Sequence, residues 1–410
     1  MNWSDYSVYR KKIQIRICGD DEMLYSLEEL FDLQMGKTPS RNVPNYWNTN
    51  DNKWISIGDL SQSGKYIYET KEYLSDIAVA ESGIRIIPAN TVIMSFKLSI
   101  GKVAITKEEI YSNEAIMAFN DKQVIELLPE YIYYLFRQKD WSVGTNKAVM
   151  GKTLNKATLS QMKINVCPMH MQREIVTILN KVSEILDNLK EQITRCDKLI
   201  KSRFVEMFGD TVTNSLNWEE HRLDEYIEFL TSGSRGWAKY FVDEENELFI
   251  TIKNVKNNHI SLNEIQYINA PDNKEAERTK VKTGDLLISI TADLGRTGVV
   301  DKEIADKGAY INQHLSLVRL DQKKVNPLYI SHFLETDGGK RQFESKNQNG
   351  VKAGLNFEAI KSLNILVPPL EMQNEYLAFV HQVDKLKVEV QGNLEKTQLL
   401  FDSLMQQYFG

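Results

Sequence analysis

The chain has 410 residues, 42% hydrophobic and 26% charged, the balance of a folded globular protein of two to three domains. It shows no apolar run near the roughly 18 residues that a spanning helix needs, and no signal-peptide core, so the expected location is the cytoplasm. Three scattered cysteines, Cys18, Cys167 and Cys196, exclude a disulfide framework and argue against zinc, and a net charge of −6 does not by itself announce a nucleic-acid binder.

In chain order, residues 1–25 form an extension of unknown role. A first globule is expected over 26–170. It opens with the amphipathic SLEELFDL at Ser26 and a loop, GKTPSRNVPNYW, from Gly36 to Trp47. WISIGDL at Trp54 alternates like a strand, and NTVIMS, ending at Ser95, reads as a buried one. A short helix with Tyr, Leu and Phe at helical spacing follows at Tyr131–Phe136. The polar, glycine-bearing loop GTNKAVMGKTLN leads to the junction INVCPMHMQREIV. A long helix is expected over 171–209. Its apolar positions Ile175, Leu179, Val182, Leu186, Leu189, Ile193, Cys196, Ile200 and Phe204 step by four and three, a heptad seam.

The same series then recurs. LNKATLSQMKINVCPMHMQREIVTIL from Leu154 matches LNFEAIKSLNILVPPLEMQNEYLAFV from Leu355, an offset that carries Gly209 onto Gly410. NEAIMAF from Asn113 matches NQHLSLV from Asn312, and Gly101-Lys102 matches Gly295-Arg296. A second globule is therefore expected over 210–370, with strands at LFITIKNV from Leu248 and at DLLISI. A second long helix is expected over 371–410, its looser seam including Tyr376, Val380, Val383, Val390, Phe401 and Met405, with Lys387 and Thr397 at seam positions. Each helix should be about 35 residues, roughly 50 Å long. An internal two-fold would set the helices antiparallel with one globule at each end.

At the strand, proline and helix junctions the chain resembles the specificity subunit of type I restriction–modification systems. Pro168 and Pro368 with the pairs Gln172/Glu174 and Gln373/Glu375 carry the likeness, as do CDKLIKSRFVEMFGD, MGKTPSRNVPNYW and TSGSRGWAKYF. The resemblance implies an α/β (mixed α+β) fold: two target recognition domains joined by two long antiparallel helices with pseudo-two-fold symmetry. Each domain would read half of an asymmetric, split double-stranded DNA target. The helices would set the spacing and dock two methyltransferase subunits, with Gln172, Glu174, Gln373 and Glu375 as docking residues. Motor-nuclease subunits could join. Such a subunit is not an enzyme and binds no cofactor or metal; S-adenosylmethionine would sit in the partner methyltransferase.

The chemistry agrees with this reading. There is no Asn/Asp-Pro-Pro-aromatic motif, GxGxxG, Walker A or HExxH sequence, and the six histidines sit singly. PDNKEAERTK at Pro271 lacks a nuclease's acidic-x-Lys pair and reads as a solvated loop. Positive charge clusters locally: Arg137, Lys139, Lys147, Lys152, Lys156 and Lys163 oppose only Asp140, and Lys340, Arg341, Lys346, Lys352 and Lys361 oppose Glu344 and Glu358. The candidate DNA contacts of the first globule are Lys37, Arg41, Lys97, Lys102, Lys147, Lys152 and the Thr145-Asn146 pair. Those of the second are Arg235, Lys239, Arg296, Asn347, Asn349 and Lys352. Any one of these lysines reads as well as a solvated surface residue, and Trp47 and Trp237 read better as loop anchors. Two alternatives remain: a coiled-coil scaffold whose duplicated domains bind proteins, and the detached recognition half of a single-chain restriction–methylation enzyme.

Overall fold

The computed structural model describes residues 23–347 and 354–410, apart from Asn48, Leu98, 142–145 and 149–150. All but the last three residues of the N-terminal extension thus lie outside the described residues. The chain divides into two units, one of residues up to Lys190 with Gly392–Gly410, the other Glu191–Gln391.

In the first unit, β1 (Phe31–Met35), β2 (Val92–Ser95), β3 (Val103–Thr106) and β4 (Ile116–Asp121) pair antiparallel in the order β1-β4-β2-β3, and Tyr66–Ile67 adds a parallel edge strand beside β3. Every residue of β2 and β3 is buried, because both faces of the sheet are covered. Val92, Met94, Val103, Ile105, Met117 and Phe119 pack on α1 (Pro129–Gln138) and on α2 (Met169–Phe208). Ile93, Ala104, Ile116 and Ala118 meet Ile55, Leu60 and Ile67 on the other face. The period of two thus sorts side chains between two cores, which is why these strands read as unbroken apolar runs.

The second unit repeats the plan. β5 (Ile227–Ser232), β6 (Leu286–Ser289), β7 (Thr297–Val299) and β8 (Leu315–Leu320) pair in the order β5-β8-β6-β7. Leu286, Ile288, Val318 and Leu320 face α3 (Pro327–Leu334), while Leu287, Leu315 and Leu317 face Leu248, Ile250 and Ile311. In each unit a smaller sheet adds one antiparallel and one parallel neighbour, to Asn52–Ile55 in the first and to Glu247–Ile250 in the second. A two-strand clasp ties the start of each unit to the junction before its long helix: Met23–Ser26 with Lys163–Val166, and Glu220–Arg222 with Asn364–Leu366.

Two expected strands are shorter than their alternation suggests, and for one reason. After Ile55, the Ser56 Oγ and Asp59 capping box turns the chain into a helix, Ile57–Gln62. After Ile250, Thr251 and Asn254 turn it into a short 3₁₀ segment, Ile252–Asn254. Local side-chain bonds here outcompete the ladder. The segment at Pro271 likewise holds a short helix, Lys274–Thr279, capped by Asn273, in place of a loop.

Helix α2 and helix α4 (Leu370–Phe409) are 40 residues each, longer than the seam alone suggested, and about 60 Å at 1.5 Å per residue. Each contributes to both units. Leu179, Val182 and Leu186 of α2 join Phe401, Leu404, Met405 and Tyr408 of α4 in the first unit's core. Cys196, Ile200, Phe204 and Phe208 join Tyr376, Val380 and Val383 in the second. There Asp197 pairs with Lys387 and Arg203 with Glu375, so the two segments run antiparallel, and Lys387 finds an acid at its seam position.

Gln172 and Gln373 are corrections. Expected on a docking surface, they are 1% and 0% exposed. Gln172 Nε2 donates to the carbonyls of Cys167 (2.9 Å) and Glu126 (3.1 Å), while its Oε1 accepts from the amide of Leu128 (3.0 Å). Gln373 donates to the Pro368 carbonyl (2.8 Å) and accepts from the Asn326 amide (2.9 Å). Each amide clamps the junction to the start of the preceding short helix, and no partner can reach it. Glu174 and Glu375 are exposed, Glu375 with its pair to Arg203 at 3.3 Å.

Candidate nucleic-acid interface

In the first unit a single turn, Asn113–Ala115, gathers three loops that are far apart in sequence. The Asn113 carboxamide oxygen accepts from the Ala115 amide (3.1 Å), and the Asn113 amide donates to the Ile55 carbonyl (3.1 Å). Gly36 lies so close that a Cβ there would sit 2.2 Å from the Asn113 carbonyl oxygen, which seats the loop carrying Lys37 and Arg41. The Phe96 amide donates to the Ala115 carbonyl (3.0 Å), bringing in the loop of Lys97 and Lys102, and Leu154 donates to the Phe96 carbonyl (3.2 Å), adding the paired strands Asn146–Ala148 and Gly151–Thr153.

The second unit has the same hub at Asn312–His314. Asn312 Oδ1 accepts from the His314 amide (3.1 Å), and a Cβ on Gly233 would sit 2.0 Å from the Asn312 carbonyl oxygen. Ile290 donates to the His314 carbonyl (3.0 Å) and Leu355 to the Ile290 carbonyl (2.9 Å). The middle loops also share a scaffold. The Ser95 hydroxyl accepts from the Lys102 amide (3.1 Å), as the Ser289 hydroxyl does from Arg296 (2.8 Å). Gly101 and Gly295, at φ +88° and +79°, pass beneath the Trp141 and Phe343 rings.

The side chains are less uniform than the scaffold. Arg41 stacks 3.7 Å over Trp47 and is paired with Glu72, so its charge is locally matched. Trp47 bonds the Ser40 carbonyl (3.1 Å), and Trp237, 3% exposed, stacks on Phe249; both anchor loops. Lys37 reaches the Ser82 carbonyl and Lys102 the Ser61 hydroxyl, while Lys97 lies over Phe96. Arg235 and Lys239 are exposed, Lys239 over the Tyr240 ring. Arg296 pairs with Asp293 (2.7 Å) and lines a shallow cleft with Lys340, Phe343 and Asn347. The Asn347 carboxamide oxygen accepts from the Gly354 amide (3.2 Å). Lys147 and Lys152 lie opposite one another in the strand register, with Asn146 opposite Thr153. Thr145, Asn349 and Lys352 lie outside the described residues. Lys139 turns inward to the Lys163 carbonyl (2.8 Å), and burial lowers its pKa. Lys346 bonds the Ser362 hydroxyl (3.0 Å).

Sequence reasoning missed the hub residues themselves. Glu114 accepts from the Thr38 hydroxyl, which, against burial and with help from Lys97 and Arg41, holds its carboxyl below the usual range. At the equivalent position stands Gln313, whose Nε2 lies 3.0 Å from His314 Nε2, while His314 Nδ1 lies 2.6 Å from the Thr291 hydroxyl. The signal was present: the two repeats match at Asn113 and Asn312, and differ at the next residue.

A family model for the type I restriction modification DNA specificity domain matches residues 20–195 and again 216–398. The chain belongs to that family. The two matches fall on the two structural repeats. Among relatives, the MjaIX specificity subunit of Methanocaldococcus jannaschii is 24% identical over 56% of this chain and 57% of its own length. This chain thus spans little more than half of that relative. The EcoprrI specificity subunit of Escherichia coli is 22% identical over 88% of this chain and 87% of its own. The crystal structure of a type I restriction–modification S subunit from M. genitalium shares the fold: TM-score 0.56 at 14% identity, covering 97% of this chain and 98% of that one. A chain solved in work on assembly and conformational transition of the type I system gives 0.55 at 17% identity, covering 96% and 98%. The mixed α/β class and the duplication expected from the sequence of this specificity-family member are borne out. Among its described residues no group of three or more His, Cys, Asp or Glu is placed to hold a metal, and no helix is long and apolar enough to cross a membrane.

Proposed function

We propose that this chain is the sequence-specificity subunit of a type I restriction–modification complex, reading a split, asymmetric DNA target with one half-site per globule. The observation that carries it is the paired hub: in each unit of a specificity-family chain, three basic loops are drawn to one braced turn. We read Lys37, Lys97, Lys102, Lys147 and Lys152 in one unit, and Arg235, Lys239 and Arg296 in the other, as the contacts to phosphates and base edges. Methylation belongs to partner methyltransferase subunits holding S-adenosylmethionine, two of which dock along α2 and α4, with motor-nuclease subunits joining for cleavage.

The test is co-expression with the methyltransferase encoded beside it, followed by mapping of N6-methyladenine in host DNA. A single split motif is expected, with unlike halves. Replacing Lys147, Lys152, Arg235 and Lys239 by alanine should abolish methylation in a complex that still assembles. A stable complex that writes no motif would instead favour the protein-binding scaffold.

A further inference from the structure

The two hubs share a backbone and differ in the two residues after the Asn, Glu114-Ala115 in the first and Gln313-His314 in the second. In both, an Asn carboxamide, a glycine with no room for a Cβ and a neighbouring strand fix the turn, so the next side chain projects from a rigid point between the basic loops. That side chain is Glu114 in the first unit, exposed, and Gln313 in the second, half-buried.

Their hydrogen bonds determine what each has left to offer. Gln313 Nε2 can only donate, so His314 Nε2 accepts; the neutral ring then carries its proton on Nδ1 and donates it to Thr291 Oγ1. One N–H and the carbonyl oxygen of Gln313 remain, on a carboxamide that can no longer rotate freely. That donor and acceptor pair matches adenine N7 and N6 in the major groove. Glu114 offers acceptors alone. Its Oε2 takes the Thr38 hydroxyl, leaving Oε1 for an amino group such as cytosine N4. Facing phosphate, a carboxylate in a basic loop cluster would oppose binding; facing a base amino group it discriminates.

Resting on the function proposed above, the geometry points to Glu114 and Gln313 as base-reading residues at equivalent positions, Glu114 for an amino-bearing base and Gln313 for adenine, so that the unlike half-sites follow partly from this difference.

The experiment maps N6-methyladenine written by the co-expressed complex with wild-type chain, Glu114→Gln and Gln313→Glu, each checked for assembly and thermal midpoint. Discrimination at one base position should fall roughly ten- to hundred-fold in one half of the motif for Glu114→Gln and in the other half for Gln313→Glu. The untouched half should stay as in wild type. Should either substitution prevent folding, Glu114→Asp and Gln313→Asn keep the charge or amide and withdraw the reach, with the same expectation. Unchanged motifs in assembled variants, beside a normal wild-type motif, overturn this inference and leave the function standing. A uniform loss of methylation at every site also overturns it, since that marks a positioning role. A wild-type complex that writes no split motif removes both.

Discussion

Gln172 and Gln373 show what a single buried amide does at the junction before each long helix. Replacing Gln172 by alanine would strand the Leu128 amide and withdraw a donor from the Glu126 and Cys167 carbonyls, a buried polar group left unpaired costing about 1–3 kcal/mol. The expected loss is about 2–4 kcal/mol in chemical denaturation, against less than about 0.5 kcal/mol for the exposed Glu174→Ala. His332 gives a second residue-scale test. Burial, reinforced by His259 and His381 and opposed by Asp384, lowers its pKa to about 3. The unfolded chain therefore binds a proton that the folded chain excludes. Stability contributed by the neutral ring is complete above the ordinary histidine value near 6.5 and declines by roughly 1.4 kcal/mol per pH unit from there down towards 3. Thermal midpoints of His332→Gln should fall less steeply than wild type across that window; parallel slopes would contradict the assignment.

At the scale of elements, the long helices are held by seam residues that are not of equal weight. Leu179 is fully buried between α1 and the C-terminal residues, so Leu179→Ala should cost about 2–5 kcal/mol. Leu399, 67% exposed on the same helix as Phe401, should tolerate serine with little change in the thermal midpoint of the isolated chain. Gly392 lies inside α4 with nothing within 4 Å of a built Cβ. Gly392→Ala should therefore raise stability by about 0.8–1 kcal/mol through helix propensity alone, measured by the denaturation midpoint. A decrease would mean that this glycine serves a bend or a partner's close approach.

For the whole molecule, the division of each helix between two units has a direct consequence. Phe401, Leu404, Met405 and Tyr408 belong to the core of the first unit, although they stand at the far end of the chain from it. A chain ending at Gln391 should lose amide protection in the sheet β1–β4 by hydrogen exchange while retaining it in β5–β8, whose unit keeps all its residues. Equal loss in both units, or none, would contradict the division. The basic loops supply the second whole-molecule expectation. In a protein of net charge −6, duplex affinity must come from local clusters, so the assembled complex should bind more weakly as salt rises, with a shallower slope after Lys147→Ala with Lys152→Ala.

Much of this was legible in the residues alone. The duplication, the buried strands NTVIMS and DLLISI, and the heptad seams follow from periodicity and self-similarity, which depend only on local spacing. The capping boxes at Ser56 and Thr251 were also written there, but alternation of apolar residues masked them. What no local pattern could supply is convergence. That Gly36 and Phe96 meet the turn at Asn113, with Leu154 joined through Phe96, is a matter of hydrogen bonds and close approaches between segments far apart in the chain, and the same holds for Gly233, Ile290 and Leu355 at Asn312. Charge and glycine content marked the loops; only the folded backbone placed Glu114 and Gln313 between them. The docking role expected for Gln172 and Gln373 failed for a related reason. A polar residue repeated in two copies looks the same in sequence whether it serves a surface or a buried carbonyl, and burial is decided by what the tertiary structure packs around it.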